Sequence, residues 1–144
     1  MSQGTVRLRS ADPKAKIATT YNYFAERADM DAMVDGIERM REVAAAAPLR
    51  NLTGREIHPG ESARTREELE QKVRREVEHT YHPSCTARIG SETDGVVDAE
   101  LRVYGVDGLR VADASVFPVV PHGNTHAPTV MVGEKAADLI REHH

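Results

Sequence analysis

The sequence predicts one domain that mixes helices with short strands, and three observations point that way. The opening "GTVRLRSADP" alternates Val6 and Leu8 with Arg7 and Arg9, the period-two pattern of a half-buried strand, and Asp12-Pro13 ends it. Three later stretches carry apolar residues at helical spacing. Ahead of the last of them lie short apolar pairs broken by turn residues. A length of 144 residues fits a single packed core able to bury roughly 70% of the unfolded surface, and not two domains. The strand begins almost at the first residue, which suits a chain cut from a longer one and a small protein with a short N-terminus equally.

Each element has a local cause. From Asp29 the residues Met30, Met33, Val34, Ile37, Met40 and Val43 recur at three and four, and Ala44 to Ala47 extend the helix to Pro48. A methionine stripe of this kind is expected in a core rather than in a binding groove. Residues 49–64, with Gly54, Pro59 and Gly60, read as an irregular connection. Thr65 to Glu68 has the pattern of a capping box, and Leu69, Val73 and Val77 follow at intervals of four, predicting a second helix that ends near His79. Pro83 in "YHPSCTARIG" stops it, and Thr86 to Ile89 can run extended. "GVVDAELRVYGVDGLRVADASVFP" predicts short strands and turns, and Thr129 to Glu142 a final helix with Val130, Val132, Ala136, Leu139 and Ile140 on its apolar face.

Composition narrows the function. With 19 Lys and Arg against 23 Asp and Glu the net charge is −4, which gives no long-range attraction to phosphate backbones or anionic lipid. Nucleic acid is not an expected partner. The single Cys85 excludes an internal disulfide framework and a multi-cysteine zinc module, and it suits a reducing cytoplasm. The first twenty residues lack the uninterrupted apolar stretch of a signal peptide, and no run approaches the roughly 18 apolar residues of a membrane span. Four Tyr, two Phe and no Trp are few for this length, which points to a core completed by another chain or segment.

Seven histidines are present, and His79, His82, His122 and His126 fall in loop-rich regions. His122 and His126 are four apart, but Gly123 lies between them and Pro128 follows closely, so they do not share a preformed helical face. With no acidic residue and third ligand in a recognised zinc pattern, no metal site is expected. A Cys85–His82 nucleophile has only proximity in its favour. A third arrangement uses the final helix: free N–H groups and the positive dipole end at Ala127, Pro128 and Thr129 could hold a group that becomes negative, such as a reduced flavin. One nearby imidazole would then act as base on a substrate hydroxyl and a second would hydrogen-bond its oxygen. On spacing alone, cap or core roles for these histidines are the stronger reading.

The segments "GTVRLRSADP", "YHPSCTARIG" and "YGVDGLRVADASVFPVVPHGNTHAPTVMVGEKAADLI" resemble, in order and spacing, the C-terminal domain of the glucose–methanol–choline (GMC) family of FAD-dependent oxidoreductases. The resemblance implies an α+β fold in which an antiparallel sheet with flanking helices covers the substrate side of the flavin and the final helix packs toward the FAD domain. It places His82 of "YHP" on the family's catalytic histidine, the base, and His126 of "NTHAP" on the partner position, which is Asn in many members and His in others. Asp113 and Ala114 of "ADAS" fall where the family touches FAD. Ala127, Pro128 and Thr129 fall at the flavin's pyrimidine edge, and since proline has no N–H the donor there must be Ala127 or Thr129. Cys85 departs from the commoner glycine of that loop and is small enough for it.

The family's pyrophosphate-binding Gly-x-Gly-x-x-Gly turn is absent from these 144 residues. The resemblance therefore implies a chain covering residues 1–144 of substrate-binding and catalytic domain, with FAD held mostly by an N-terminal FAD-binding polypeptide or segment. The implied activity is oxidation of a primary or secondary alcohol by hydride transfer to the flavin. A binding or regulatory module that keeps the fold without catalysis, and an FAD-containing lyase of the same family, are the alternatives.

Overall fold

The computed structural model describes residues 1–142, and two of the seven histidines, His143 and His144, lie outside the described residues. The elements are strands β1 (Thr5–Arg7) and β2 (Ala18–Thr20), helices α1 (Arg27–Ala45), α2 (Arg66–Glu76) and α3 (His126–Glu142), and short 3₁₀ turns at Leu49–Asn51 and Ala114–Val116. An antiparallel pair of strands and three helices agree with the α+β expectation. The single core does not hold. The chain forms two compact units, Met1–Glu78 and His79 onward, each with its own apolar cluster.

In the first unit β1 pairs with β2 through Thr5–Thr20, Val6–Thr19 and Arg7–Ala18. The ribbon is shorter than the alternating pattern suggests, and its second strand has no comparable signature. Nor is it half-buried: Val6 is 46% and Leu8 82% exposed. An alternating strand buries one face only where another layer covers it.

Helix α1 packs against α2 through Met30, Val34, Leu69 and Val73, with Ala63 closing the cluster and Phe24 and Ile37 at its edge. The methionine stripe is thus only partly core, since Met33, Met40 and Val43 are exposed. At 3.6 residues per turn, Met30, Val34 and Ile37 lie within about 60° of one another, while the others rotate steadily off that line. The eleven-residue α2 covers only the former. Charged side chains fix the crossing: Arg27 bridges Asp31 and Glu70, and Arg66 reaches Asp31 at 3.0 Å and Asp35 at 2.8 Å. Exposed pairs of this kind contribute little each, so they set orientation more than stability.

The capping box of α2 forms as its sequence predicts. Thr65 accepts the Glu68 N–H, and the Glu68 carboxylate accepts the Thr65 and Arg64 N–H groups. Those donors hold the Glu68 carboxyl below its ordinary pKa. The helix stops at Glu76, short of His79, because Val77 turns extended.

The second unit buries Val97, Leu101, Val116, Phe117, Val132, Ala136 and Leu139. The expected short strands are isolated bridges, Ile89–Val97, Val97–Val103 and Arg102–Arg110. Gly90 and Gly95 make the first turn possible: a Cβ on Gly95 would lie 2.6 Å from the Gly90 backbone. Helix α3 begins at His126 rather than Thr129, because a proline in the first helical turn forfeits only an N–H that has no intrahelical partner. Of its expected apolar face, Val132, Ala136 and Leu139 are buried and Val130 and Ile140 remain exposed.

Thr65→Ala removes one half of the reciprocal cap and is expected to lower stability by about 0.5–2 kcal/mol. Thr65→Ser should restore most of it. Denaturant unfolding of the three proteins checks this, and an alanine variant as stable as the parent would show that the cap contributes nothing.

Candidate active site

The segment around His82 is tied down by backbone hydrogen bonds. Cys85 N–H donates to Ala114 C=O (3.2 Å), Ala87 to Ser115 (2.9 Å) and Ile89 to Val116 (2.9 Å). The extended reading of Thr86 to Ile89 thus becomes an edge laid along the 114–116 turn. That turn is capped by Asp113, whose carboxylate accepts the Ser115 N–H at 2.7 Å. Hydrogen bonds from the Ser115 side chain and backbone hold the Asp113 carboxyl below its ordinary value.

His82 lies between two residues in the left-handed region, Tyr81 (φ 60°) and Cys85 (φ 67°). This conformation costs a residue with a Cβ roughly 1–2 kcal/mol. It explains why a glycine suits position 85, and the thiol fits because Cys85 packs against the core cluster of its unit. The Tyr81 N–H donates to His79 Nδ1 at 3.2 Å, and the two rings meet edge to face.

The imidazole of His82 reaches the entrance of α3. Its Nδ1 is 2.8 Å from Thr125 Oγ1 and its Nε2 is 3.2 Å from the Asn124 amide nitrogen. Asn124 in turn accepts the N–H of His126, the first residue of α3, at 2.9 Å. Among the described residues no hydrogen bond joins the rings of His82 and His126. What His126 gives this cluster is its backbone, and the side chains at His82 are Asn124 and Thr125. Neither was expected from the sequence. The Asn-x-His spacing is the signal that could have found Asn124, because an Asn side chain commonly accepts the backbone N–H two residues on.

The first turn of α3 also separates its candidate donors. Thr129 N–H donates to Thr125 C=O at 3.0 Å, and the Thr129 hydroxyl donates to the same oxygen at 2.6 Å. Pro128 has no N–H. Among the described residues the Ala127 N–H has no protein acceptor, so of the two expected donors Ala127 is the one left to face a ligand. One exposed N–H at the positive end of a 17-residue helix fits an electron-rich ring edge that gains negative charge. The residues present therefore suit the flavin edge of FAD, and only that part of it. His122 joins no hydrogen bond among the described residues. No hydrogen bond links Cys85 to His82, and no three His, Cys, Asp or Glu side chains among the described residues gather as a metal-ligand group. No described helix is long and apolar enough to cross a membrane.

The arrangement has close counterparts. A family model described as GMC oxidoreductase matches residues 1–133. The chain belongs to the GMC oxidoreductase family. Its GMC relatives include the oxygen-dependent choline dehydrogenase of Burkholderia pseudomallei, 44% identical over 142 residues, which are 99% of this chain and 25% of the relative. Among solved GMC structures, formate oxidase of Aspergillus oryzae superposes with a TM-score of 0.89 at 35% identity, covering 98% of this chain and 25% of that one. A fungal aryl-alcohol oxidase gives 0.82 at 34% identity, covering 97% and 23%. The chain therefore spans about a quarter of the length of the relatives it matches.

Asp113 yields a pH test. Its pKa is depressed on folding, so its stabilisation is present above the ordinary carboxylate pKa and lost as pH falls through the folded value. Asp113→Ala should be less stable than the parent at neutral pH, and the difference should shrink as pH drops below the ordinary carboxylate range. Equilibrium unfolding across pH measures it. A gap that stays constant into acid would mean the carboxylate charge has no part in the cap.

Proposed function

We propose that this chain is the catalytic, substrate-facing part of an FAD-dependent oxidoreductase that oxidises the CH–OH group of a primary or secondary alcohol, with His82 as the base. The observation that carries the proposal is the seat of His82, beside Asn124 and Thr125 at the mouth of α3. Bound FAD supplies the hydride acceptor. With FAD bound, the Ala127 N–H and the dipole of α3 would stabilise negative charge at its ring edge, and Asp113 and Ala114 would contact the cofactor. A substrate hydroxyl near His82 gives its proton to the imidazole as the carbinol carbon loses hydride. In this reading Asn124, beside His82 Nε2, and His126 would hydrogen-bond the same oxygen.

The partner is an N-terminal FAD-binding polypeptide or segment. Support comes from the quarter-length match to the relatives and from apolar side chains of the second unit that nothing described covers: Val119 at 65%, Val120 at 57% and Met131 at 62% exposure. The first unit adds an open groove of about 1640 Å³ bordered by Tyr21, Tyr23, Phe24, Met33 and Met40. We place the protein in the cytoplasm, with which the free Cys85 thiol is compatible.

The deciding test is His82→Ala in the flavin-loaded protein that carries this chain. A base must be neutral before it acts, so flavin reduction by the alcohol should rise with pH to a plateau in the parent. His82→Ala should reduce the flavin about 10²–10⁴-fold more slowly while keeping it bound. Rapid-mixing flavin bleaching reads the rate, and the bound-flavin spectrum reports folding. A variant that holds its flavin and reduces it within a few-fold of the parent removes His82 from the reaction. An enzyme that turns over with no flavin bleaching at all would support the lyase alternative.

His126→Asn keeps a hydrogen-bonding side chain and the backbone N–H that Asn124 accepts. It should retain most of the parent's reduction rate. A loss as deep as that of His82→Ala would show that the two imidazoles share the base role.

A further inference from the structure

The Asn124 amide has one consistent orientation. Its Oδ1 accepts the His126 N–H at 2.9 Å, and the reversed amide would set two N–H donors against each other. Nδ2 therefore faces His82 Nε2, 3.2 Å away, and that nitrogen must present a lone pair. A neutral imidazole carries one ring proton, so the proton sits on Nδ1, where Thr125 Oγ1 lies 2.8 Å away. Thr125 is well placed to receive it: the residue is only 8% exposed, and its carbonyl holds both the N–H and the hydroxyl of Thr129.

We infer that Asn124 and Thr125 together hold His82 in its Nδ1–H tautomer, Asn124 by requiring a lone pair on Nε2 and Thr125 as the positioning residue that accepts the Nδ1–H, so that Nε2 is the nitrogen that takes the substrate proton. The inference rests on His82 being the base. In the opposite tautomer the Thr125 hydroxyl would donate to Nδ1, and an Nε2–H would confront the Asn124 amide, donor against donor. Protonation at Nε2 leaves the Nδ1–H to Thr125 bond intact. The Asn124 Oδ1 stays with the His126 N–H, and only the Nδ2 contact to Nε2 gives way to the substrate hydroxyl.

The test compares Thr125→Val and Thr125→Ser with the parent in the flavin-loaded protein. Imidazole ¹⁵N NMR reads the tautomer, with the His82 signal assigned by its loss in His82→Gln. The parent should show a protonated Nδ1 and an unprotonated Nε2; the valine variant should shift toward the Nε2–H form, and serine should restore the parent pattern. Flavin reduction should fall about ten- to a hundredfold in Thr125→Val, the span of one buried hydrogen bond, and recover in Thr125→Ser. Should the valine variant fail to fold, the parent spectrum decides alone, since an Nε2–H tautomer there overturns the assignment. A valine variant that keeps the Nδ1–H tautomer, or a serine variant that does not recover, also overturns it. A tautomer shift with no change of rate sustains the role of Thr125 on the ring and overturns His82 as the base.

Discussion

The backbone ladder from 85–89 to 114–116 is the constraint on which the rest of the second unit depends. It pairs an edge that has no regular strand partner, and so satisfies N–H groups that would otherwise be orphaned near a core. It also fixes both ends of the functional stretch. Val116, the ladder's last acceptor, and Phe117 just past it are buried in one cluster with Val132, Ala136 and Leu139 of α3, so the loop that bears His82 and the helix that receives it are referenced to one apolar cluster. The distances at His82 are set by packing several residues away from the imidazole.

Much of this was legible beforehand, for reasons that differ by element. The capping box at Thr65 and the spacing of Leu69 and Val73 are local signals, and they produced α2 to within a few residues. The run from Asp29 gave α1 correctly but overstated its buried face, because periodicity says which residues share a side and not how far a neighbouring helix reaches along it. Strand β2 and the bridges of 89–110 are held by tertiary pairing, which leaves a faint mark on short segments. At the site, His82 was found through family resemblance. Asn124 and Thr125 were hidden because their part is to satisfy backbone and ring nitrogens brought together only by the fold. Sequence alone makes Thr129 as suitable a donor as Ala127, and only the fold shows its N–H engaged by Thr125 C=O.

Membership of the GMC oxidoreductase family gives the exposed apolar residues a physical meaning. Leu8, Met40, Leu52, Ile57, Val119 and Met131 are largely exposed here. Scattered exposed hydrophobics are normal on a protein surface, but their number beside two small cores matches a chain that accounts for a quarter of its relatives' length.

Cys85 has a further consequence, for the unfolded chain. A left-handed backbone at φ 67° costs a side chain roughly 1–2 kcal/mol relative to glycine in the folded protein. Glycine, however, leaves the unfolded polypeptide with more conformations to lose, a difference of about 0.4–1 kcal/mol. Cysteine narrows that ensemble and adds a thiol to the core that Ile89 and Ala114 also touch. The two effects offset much of the strain, so the turn behind His82 is kept without the residue that fits it most easily, and part of what keeps it acts before the chain has folded.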